Sequence, residues 1–292
     1  MRKLNWIAAL ALVVPFGTAS AETATMVGSD TCIACHSEQA ASFNGSLHGK
    51  KISVTKIVAA DKTCESCHGA GSLHAAAAGD KTNAGFATIK NPATADSKTV
   101  AKACFTCHNE KAVMLWSTSS HAQTGMSCNK CHSVHNGVGP KNLKKSSNET
   151  CTQCHSKQKA DGKLPSHHPI EEGKMGCVSC HNPHGGPMGN LKAESVNETC
   201  FKCHAEKAGP FAHEHAPVTE SCTVCHKPHG SANEALLKQP QPYLCLRCHK
   251  WPHTETTNLA NAESSTKILD RSRCTDCHSE IHGSDYKGAL KN

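Results

Sequence analysis

The 292-residue chain is short of the material that protein interiors are made from. Leu, Ile, Val and Phe together number 43, and aromatic residues are only 4% of the chain. When these four apolar types fall below about 20%, side chains alone rarely build a core. No stretch sustains an alternation of period 2, so little sheet is expected. Past Phe16 no apolar run approaches the roughly 20 residues of a membrane-spanning helix. No cysteine stands outside one repeated motif. These absences argue against a conventional globular core, a β-rich domain and a spanning helix in the body of the chain. What remains is a disordered chain or one whose core is not protein.

The amino terminus reads as an address. Arg2 and Lys3 precede an apolar run from Leu4 to Phe16, and Ala19-Ser20-Ala21 is an A-x-A signal. Residues 1–21 are expected to be a cleaved export leader, with Glu22 opening the mature chain. The apolar run is too short for a membrane anchor, and the leader has no Cys to carry a lipid.

Twenty Cys in an exported chain would ordinarily suggest disulfides. Their spacing rejects that reading, because each falls in a C-x-x-C-H motif. The pairs are Cys32/Cys35, Cys64/Cys67, Cys104/Cys107, Cys128/Cys131, Cys151/Cys154, Cys177/Cys180, Cys200/Cys203, Cys222/Cys225, Cys245/Cys248 and Cys274/Cys277. The motif histidines are His36, His68, His108, His132, His155, His181, His204, His226, His249 and His278. C-x-x-C-H is the attachment signature of c-type haem. Two thiols add across the two vinyl groups of one porphyrin, and the next residue turns an imidazole nitrogen toward iron. Zinc would need paired C-x-x-C units without a trailing His each time, and a dithiol enzyme would not carry ten copies. Ten covalently attached c-type haems are expected, with these ten histidines as proximal ligands.

Twelve histidines remain, and one of them, or one close pair, lies in each interval after a motif. The expected distal ligands are His48, His74, His121, His135, His168, His184, His215, His229, His253 and His282. Two imidazoles on each iron leave no vacant position, which suits electron transfer rather than catalysis. Internal repetition chooses within the close pairs. Cys104 to His121 and Cys151 to His168 are equally spaced, favouring His168 over His167. His121 to Cys128 and His215 to Cys222 are also equally spaced, favouring His215 over His213. Three motifs extend to C-x-x-C-H-x-x-H: His132 with His135, His181 with His184, and His226 with His229. Three residues span at most about 10 Å, so reaching the opposite face of the same haem is strained. Donation to a neighbouring haem, stapling two together, is at least as reasonable. Spacing does not say which iron each distal His serves.

The motifs group into about five two-haem units, the central three being the clearest. The expected architecture is a haem-packed multihaem cytochrome, mostly coil with short α-helices, little or no sheet, and elongated. A pentahaem half at 22–165 and another at 166–292 would form one continuous haem chain. Helices are expected at Thr99–Glu110 and Asn197–Lys207. The run Ala75–Ala78 opens a candidate linker or capping insertion, and Thr254–Arg273 is a second. Trp116 and Trp251 are expected to pack on porphyrin. The formal charge of +7 falls to +5 without Arg2 and Lys3. Ten haems would add up to about 20 negative propionate charges, so the scattered Lys and Arg read as propionate partners and no nucleic-acid partner is expected.

Several longer segments carry a resemblance. They are Cys177-Val178-Ser179-Cys180-His181-Asn182-Pro183-His184-Gly185, Asn197-Glu198-Thr199-Cys200, His204-Ala205-Glu206-Lys207, Glu214-His215-Ala216-Pro217-Val218-Thr219-Glu220, Cys222 to Gly230, and His282-Gly283. With them the mature chain resembles the periplasmic decahaem c-type cytochromes of outer-membrane porin–cytochrome conduits, the MtrA/MtoA/DmsE group. The resemblance implies a long, thin fold, partly inside a β-barrel porin, that passes electrons across the outer membrane, with bis-His ligation including His168 and His215. It implies a periplasmic location and partners among quinol-linked cytochromes of the inner membrane or periplasm. An outer-surface multihaem cytochrome is a further candidate partner. The service would be extracellular metal reduction or iron oxidation. The alternatives are a soluble periplasmic electron shuttle to a terminal reductase, or a multihaem oxidoreductase such as a nitrite reductase or hydroxylamine oxidase. The last is weakened because no C-x-x-C-K motif occurs.

Overall fold

The structure, a computed structural model, describes residues 22–110, 113–250, 273–286 and 290. The expected leader, Trp251, His253 and all of Thr254–Arg273 except Arg273 lie outside the described residues. The described chain is a succession of short helices and turns. Its one sheet pairs His213–Glu214 antiparallel with Gly283–Ser284. No described helix is long and apolar enough to cross a membrane.

Three of the helices are short because each is started by a cap and ended by a motif. Ser97–Phe105, Ser147–Thr152 and Val196–Phe201 each carry the first Cys of a motif near their ends. Asp96 accepts from the Lys98 and Thr99 backbone N–H groups. Ser146 accepts from Glu149 N–H while the Glu149 carboxylate accepts from Ser146 N–H, and Ser195 accepts from Glu198 N–H. Such caps satisfy donors that a helix start leaves free. The helix expected at Thr99–Glu110 stops at Phe105, and that expected at Asn197–Lys207 stops at Phe201, followed by a separate turn at Ala205–Lys207. Where the motif His follows, His155 (φ −88°, ψ 59°) and His204 (φ −109°, ψ 51°) have left helical geometry. The motif itself therefore breaks the helix that periodicity would have continued.

The extended motifs take a second conformation. His132 and His181 are fully extended. Backbone bridges join His132 to Leu143, His181 to Leu191 and His226 to Leu237. Gly230, which follows His229, and Gly283, which follows His282, are both at positive φ. A Cβ at Gly230 would strike the Asp161 carbonyl, and one at Gly283 the Phe211 ring. Only the residue without a side chain permits both the conformation and the approach.

The Ala-rich stretch is no linker. Helix Ser72–Ala76 folds back on the turn Ala84–Thr88, where His74 Nδ1 donates to the Phe86 carbonyl at 2.8 Å. The first described residues are tied down by Glu65, which is 2% exposed. Its carboxylate accepts from the N–H groups of Val27, Gly28 and Gly71 at 2.8–3.0 Å. Burial opposes its charge, yet these three donors and Lys62 hold its pKa below the usual value.

Apolar packing is nearly missing. Among the described residues the buried apolar side chains are Ala77, Val100, Ala193 and Leu237. The polypeptide closes over little of its own surface. We expect the chain made without haem-attachment machinery to be unfolded: limited proteolysis should digest it fully, and calorimetry should show no cooperative transition. A compact, melting apoprotein would contradict a core supplied by porphyrin.

Candidate haem-binding site

A continuous cavity of 5530 Å³ runs through the molecule. All twenty motif cysteines and all ten motif histidines line it. Divided among ten motifs, that is about 550 Å³ each, within the roughly 300–1,000 Å³ of small-molecule pockets. A zinc reading finds no donor set. Among the described residues no group of three or more His, Cys, Asp or Glu is arranged to hold a metal ion.

The cysteines define the units. The Cys104 thiol lies within hydrogen-bonding reach of Cys128, Cys151 of Cys177, Cys200 of Cys222, Cys245 of Cys274, and Cys32 of Cys64. Each two-motif unit is therefore joined at its first cysteines. Side chains upstream of the first motif hold the second in place. Ser29 donates to the Ala60 and Asp61 carbonyls, Asn148 accepts from Cys177 N–H, Asn197 from Cys222 N–H at 2.7 Å, and Gln241 from Thr275 N–H at 3.1 Å. The repeated Asn-Glu-Thr-Cys segment thus has a physical task that its spacing did not disclose. Between units, Cys67 neighbours Cys104, Cys131 neighbours Cys151, Cys180 neighbours Cys200 and Cys225 neighbours Cys245. The motifs follow one another in space in their sequence order.

The histidines define what lies between the walls. Nine motif imidazoles face a second imidazole: His36–His74 (6.2 Å between ring centres), His68–His135 (6.2 Å), His108–His48 (5.8 Å), His132–His184 (5.9 Å), His155–His121 (6.0 Å), His181–His229 (6.0 Å), His204–His168 (6.4 Å), His226–His282 (6.2 Å) and His249–His215 (6.1 Å). A ligating nitrogen lies about 2 Å from its metal and about 1 Å from its own ring centre, so two imidazoles on one metal stand about 6 Å apart. The spacing fits one iron between each pair. Only His36–His74 lies within a single unit. The other eight pairs cross from one unit to the next, two at every boundary. No H-x-x-H histidine faces its own motif partner: His135 meets His68, His184 meets His132, and His229 meets His181.

The far nitrogen of the ring is also provided for. His121 Nδ1 donates to the Pro183 carbonyl (2.9 Å), His168 to Pro228 (2.8 Å), His215 to Ile281 (2.8 Å) and His135 to Gln39 (3.2 Å). Among motif histidines, His68 donates to Lys90, His132 to Lys141 and His226 to Ala235. A proton fixed on Nδ1 leaves Nε2 with its lone pair for a metal and sets the ring's orientation. Burial pushes the pKa of His48, His181, His184, His229 and His282 down, favouring the neutral form that a metal requires. Trp116 packs against His184 with ring centres 6.1 Å apart.

The two close pairs divide cleanly. His167 uses both nitrogens, Nδ1 on the Leu164 carbonyl and Nε2 on Glu172 at 2.9 Å, and that carboxylate raises its pKa. His213 is exposed, and its backbone pairs with Ser284. Neither belongs to a facing ring pair, whereas His168 and His215 do. His253 lies outside the described residues. The backbone acceptors were not legible beforehand. Their signal was the residue before each second histidine, which supplies the carbonyl from Pro183, Pro228 and Ile281.

These motifs and their surroundings define a multihaem c-type cytochrome, an electron-transfer protein with covalently bound haem. The doubled CXXCH motif family model matches residues 121–160, 167–209 and 215–254. The chain is 38% identical over 268 residues to the multiheme cytochrome MtrA of Shewanella baltica (strain OS185), covering 89% of this chain and 79% of that protein. The chain belongs to the MtrA family of multihaem cytochromes.

His184→Ala, His168→Ala and His215→Ala should each convert one haem to a high-spin signal in electron paramagnetic resonance. His167→Ala and His213→Ala should leave every haem low-spin. A high-spin haem in His167→Ala but not His168→Ala would reverse the assignment at that unit.

Proposed function

We propose that the chain carries ten c-type haems, each held by a C-x-x-C-H motif and a second imidazole, and passes electrons along them through the outer membrane inside a β-barrel porin. Bound haem supplies a one-electron iron couple that six-coordinate bis-His ligation lets cycle with little movement. The residues do the rest. The motif cysteines would attach each ring, the facing histidines would hold its iron, and the carbonyls behind the imidazoles keep them aimed. Nine of the distal ligands are those in the ring pairs above.

The observation that carries this reading is the spatial order of the motifs, whose cysteines neighbour one another in sequence order from Cys32 to Cys274. Such an order suits a wire longer than the roughly 30 Å hydrocarbon core of a bilayer. The halves 22–165 and 166–292 would act as one body, because the His132–His184 pair spans their boundary. The export leader and family membership support a periplasmic location. Quinol-linked cytochromes would serve at one end, and an outer-surface cytochrome or an extracellular metal or iron couple at the other.

Two measurements test it. A compact 271-residue protein would have a radius of gyration of about 18 Å. X-ray scattering from the holoprotein should give a value well above that. Reconstituted with its porin in liposomes, the holoprotein should exchange electrons with a redox dye across the membrane. A globular profile, or no exchange with a verified porin, would favour a soluble shuttle instead.

A further inference from the structure

Five of the distal imidazoles rest Nδ1 on a backbone carbonyl: His74, His121, His135, His168 and His215. His48 differs, because its Nδ1 meets the side-chain amide of Asn142 at 2.5 Å. Asn142 is 5% exposed and sits at φ 57° in the turn that follows the fourth motif. That turn serves two sites at once. Its Lys141 carbonyl accepts from His132 Nδ1, and the next residue's side chain reaches His48, which faces His108.

The chemistry of this contact depends on which end of the amide faces the ring. With Nδ2 toward the ring, the amide N–H donates to Nδ1, the imidazole proton is on Nε2, and His48 cannot give that nitrogen to a metal. With the amide turned by half a rotation, Oδ1 accepts from Nδ1–H and the Nε2 lone pair is free. The two orientations have the same shape and opposite hydrogen-bonding character. A backbone carbonyl offers no such choice.

We infer that Asn142 is a positioning residue for the haem of the third motif, its amide turning Oδ1 to His48 when haem is bound and thereby setting both the tautomer of that ligand and the reduction potential of that haem. The inference rests on the proposal that His48 and His108 share an iron. An acceptor behind a ligating imidazole raises its basicity. A more basic ligand favours ferric over ferrous iron, so acceptor strength at residue 142 tunes the potential downward.

The repeat supplies the control. The same backbone bond marks equivalent positions: Ser133 N–H donates to the Asn142 carbonyl, Asn182 N–H to Asn190 and Lys227 N–H to Leu236. Leu236 occupies its turn at the same φ of 57°. A leucine is therefore compatible with the turn while offering nothing to an imidazole.

The test is a redox titration of the holoprotein, followed by absorption and electron paramagnetic resonance. In Asn142→Leu one haem component should move to higher potential. In Asn142→Asp, where a carboxylate is the stronger acceptor, the same component should move to lower potential, with that haem low-spin and the others unmoved. Opposite shifts are not what a purely structural turn residue would give. Shifts of one sign in both variants, no shift in either, or loss of ligation in both would overturn the inference. His48→Ala separates it from its premise. A high-spin haem there upholds the shared iron whatever the Asn142 variants do, and an all-low-spin spectrum removes the premise itself.

Discussion

The structure depends on holding two imidazoles about 6 Å apart. Four buried apolar side chains among the described residues cannot specify a tertiary fold. The positions that are specified are those of histidines and of the backbone groups behind them. Hydrophobic burial stabilises by roughly 25 cal/mol per Å², and in this family the apolar area to be covered is the cofactor's. The polypeptide is better understood as a set of short braces than as a packed layer. Caps, Asn and Ser staples and carbonyl acceptors are polar devices, and several of them end on a cysteine or a histidine.

The spatial order of the sites follows from the same devices. Asn148 and Asn197 pull the second motif of a unit onto the first, so the first cysteines of both meet. The bridges from His132, His181 and His226 to Leu143, Leu191 and Leu237 then turn the chain toward the next unit. Repetition of one brace and one turn generates a linear series without any long element. Neither sheet nor long helix is needed, and the single two-residue strand pair closes the end of the series, between His213–Glu214 and Gly283–Ser284.

Much of this was readable in the residues, for a chemical reason. Covalent attachment needs two thiols and an imidazole at fixed spacing, so the motifs are local and visible. Repeat spacing favours His168 over His167; His167 is spent on Leu164 and Glu172, while His168 faces His204. The pairings could not be read. Whether His184 meets His132 or its own motif partner His181 depends on where the Pro183 segment lies relative to His121, a contact distant in sequence. Helix ends were misjudged at Phe105 and Phe201 because periodicity does not see the turn that a motif imposes. The Ala75–Ala78 run reads as a linker or a capping insertion because alanine carries no pattern; its neighbours fold into the brace around His74, which leaves the second alternative.

The distribution of ring pairs gives the series a property that ordinary repeat proteins lack. In stacked repeats each unit has its own small core, and neighbours add an interface. Here the first motif of each of the last four units faces a histidine from the unit before, and the second motif of each of the first four faces one from the unit after. Two sites straddle every boundary. Removing an internal unit would therefore strip a partner imidazole from both neighbours as well as deleting its own pair of motifs, unless the new junction restored the register of both. The termini are spared this dependence at the start of the chain, where His36 meets His74 within the unit that Glu65 ties down. Interlocking of this kind makes the series cooperative despite its thin core. At three sites the carbonyl behind one imidazole belongs to the residue beside another, so opening one disturbs the next: Pro183 beside His184, Pro228 beside His229, Ile281 beside His282.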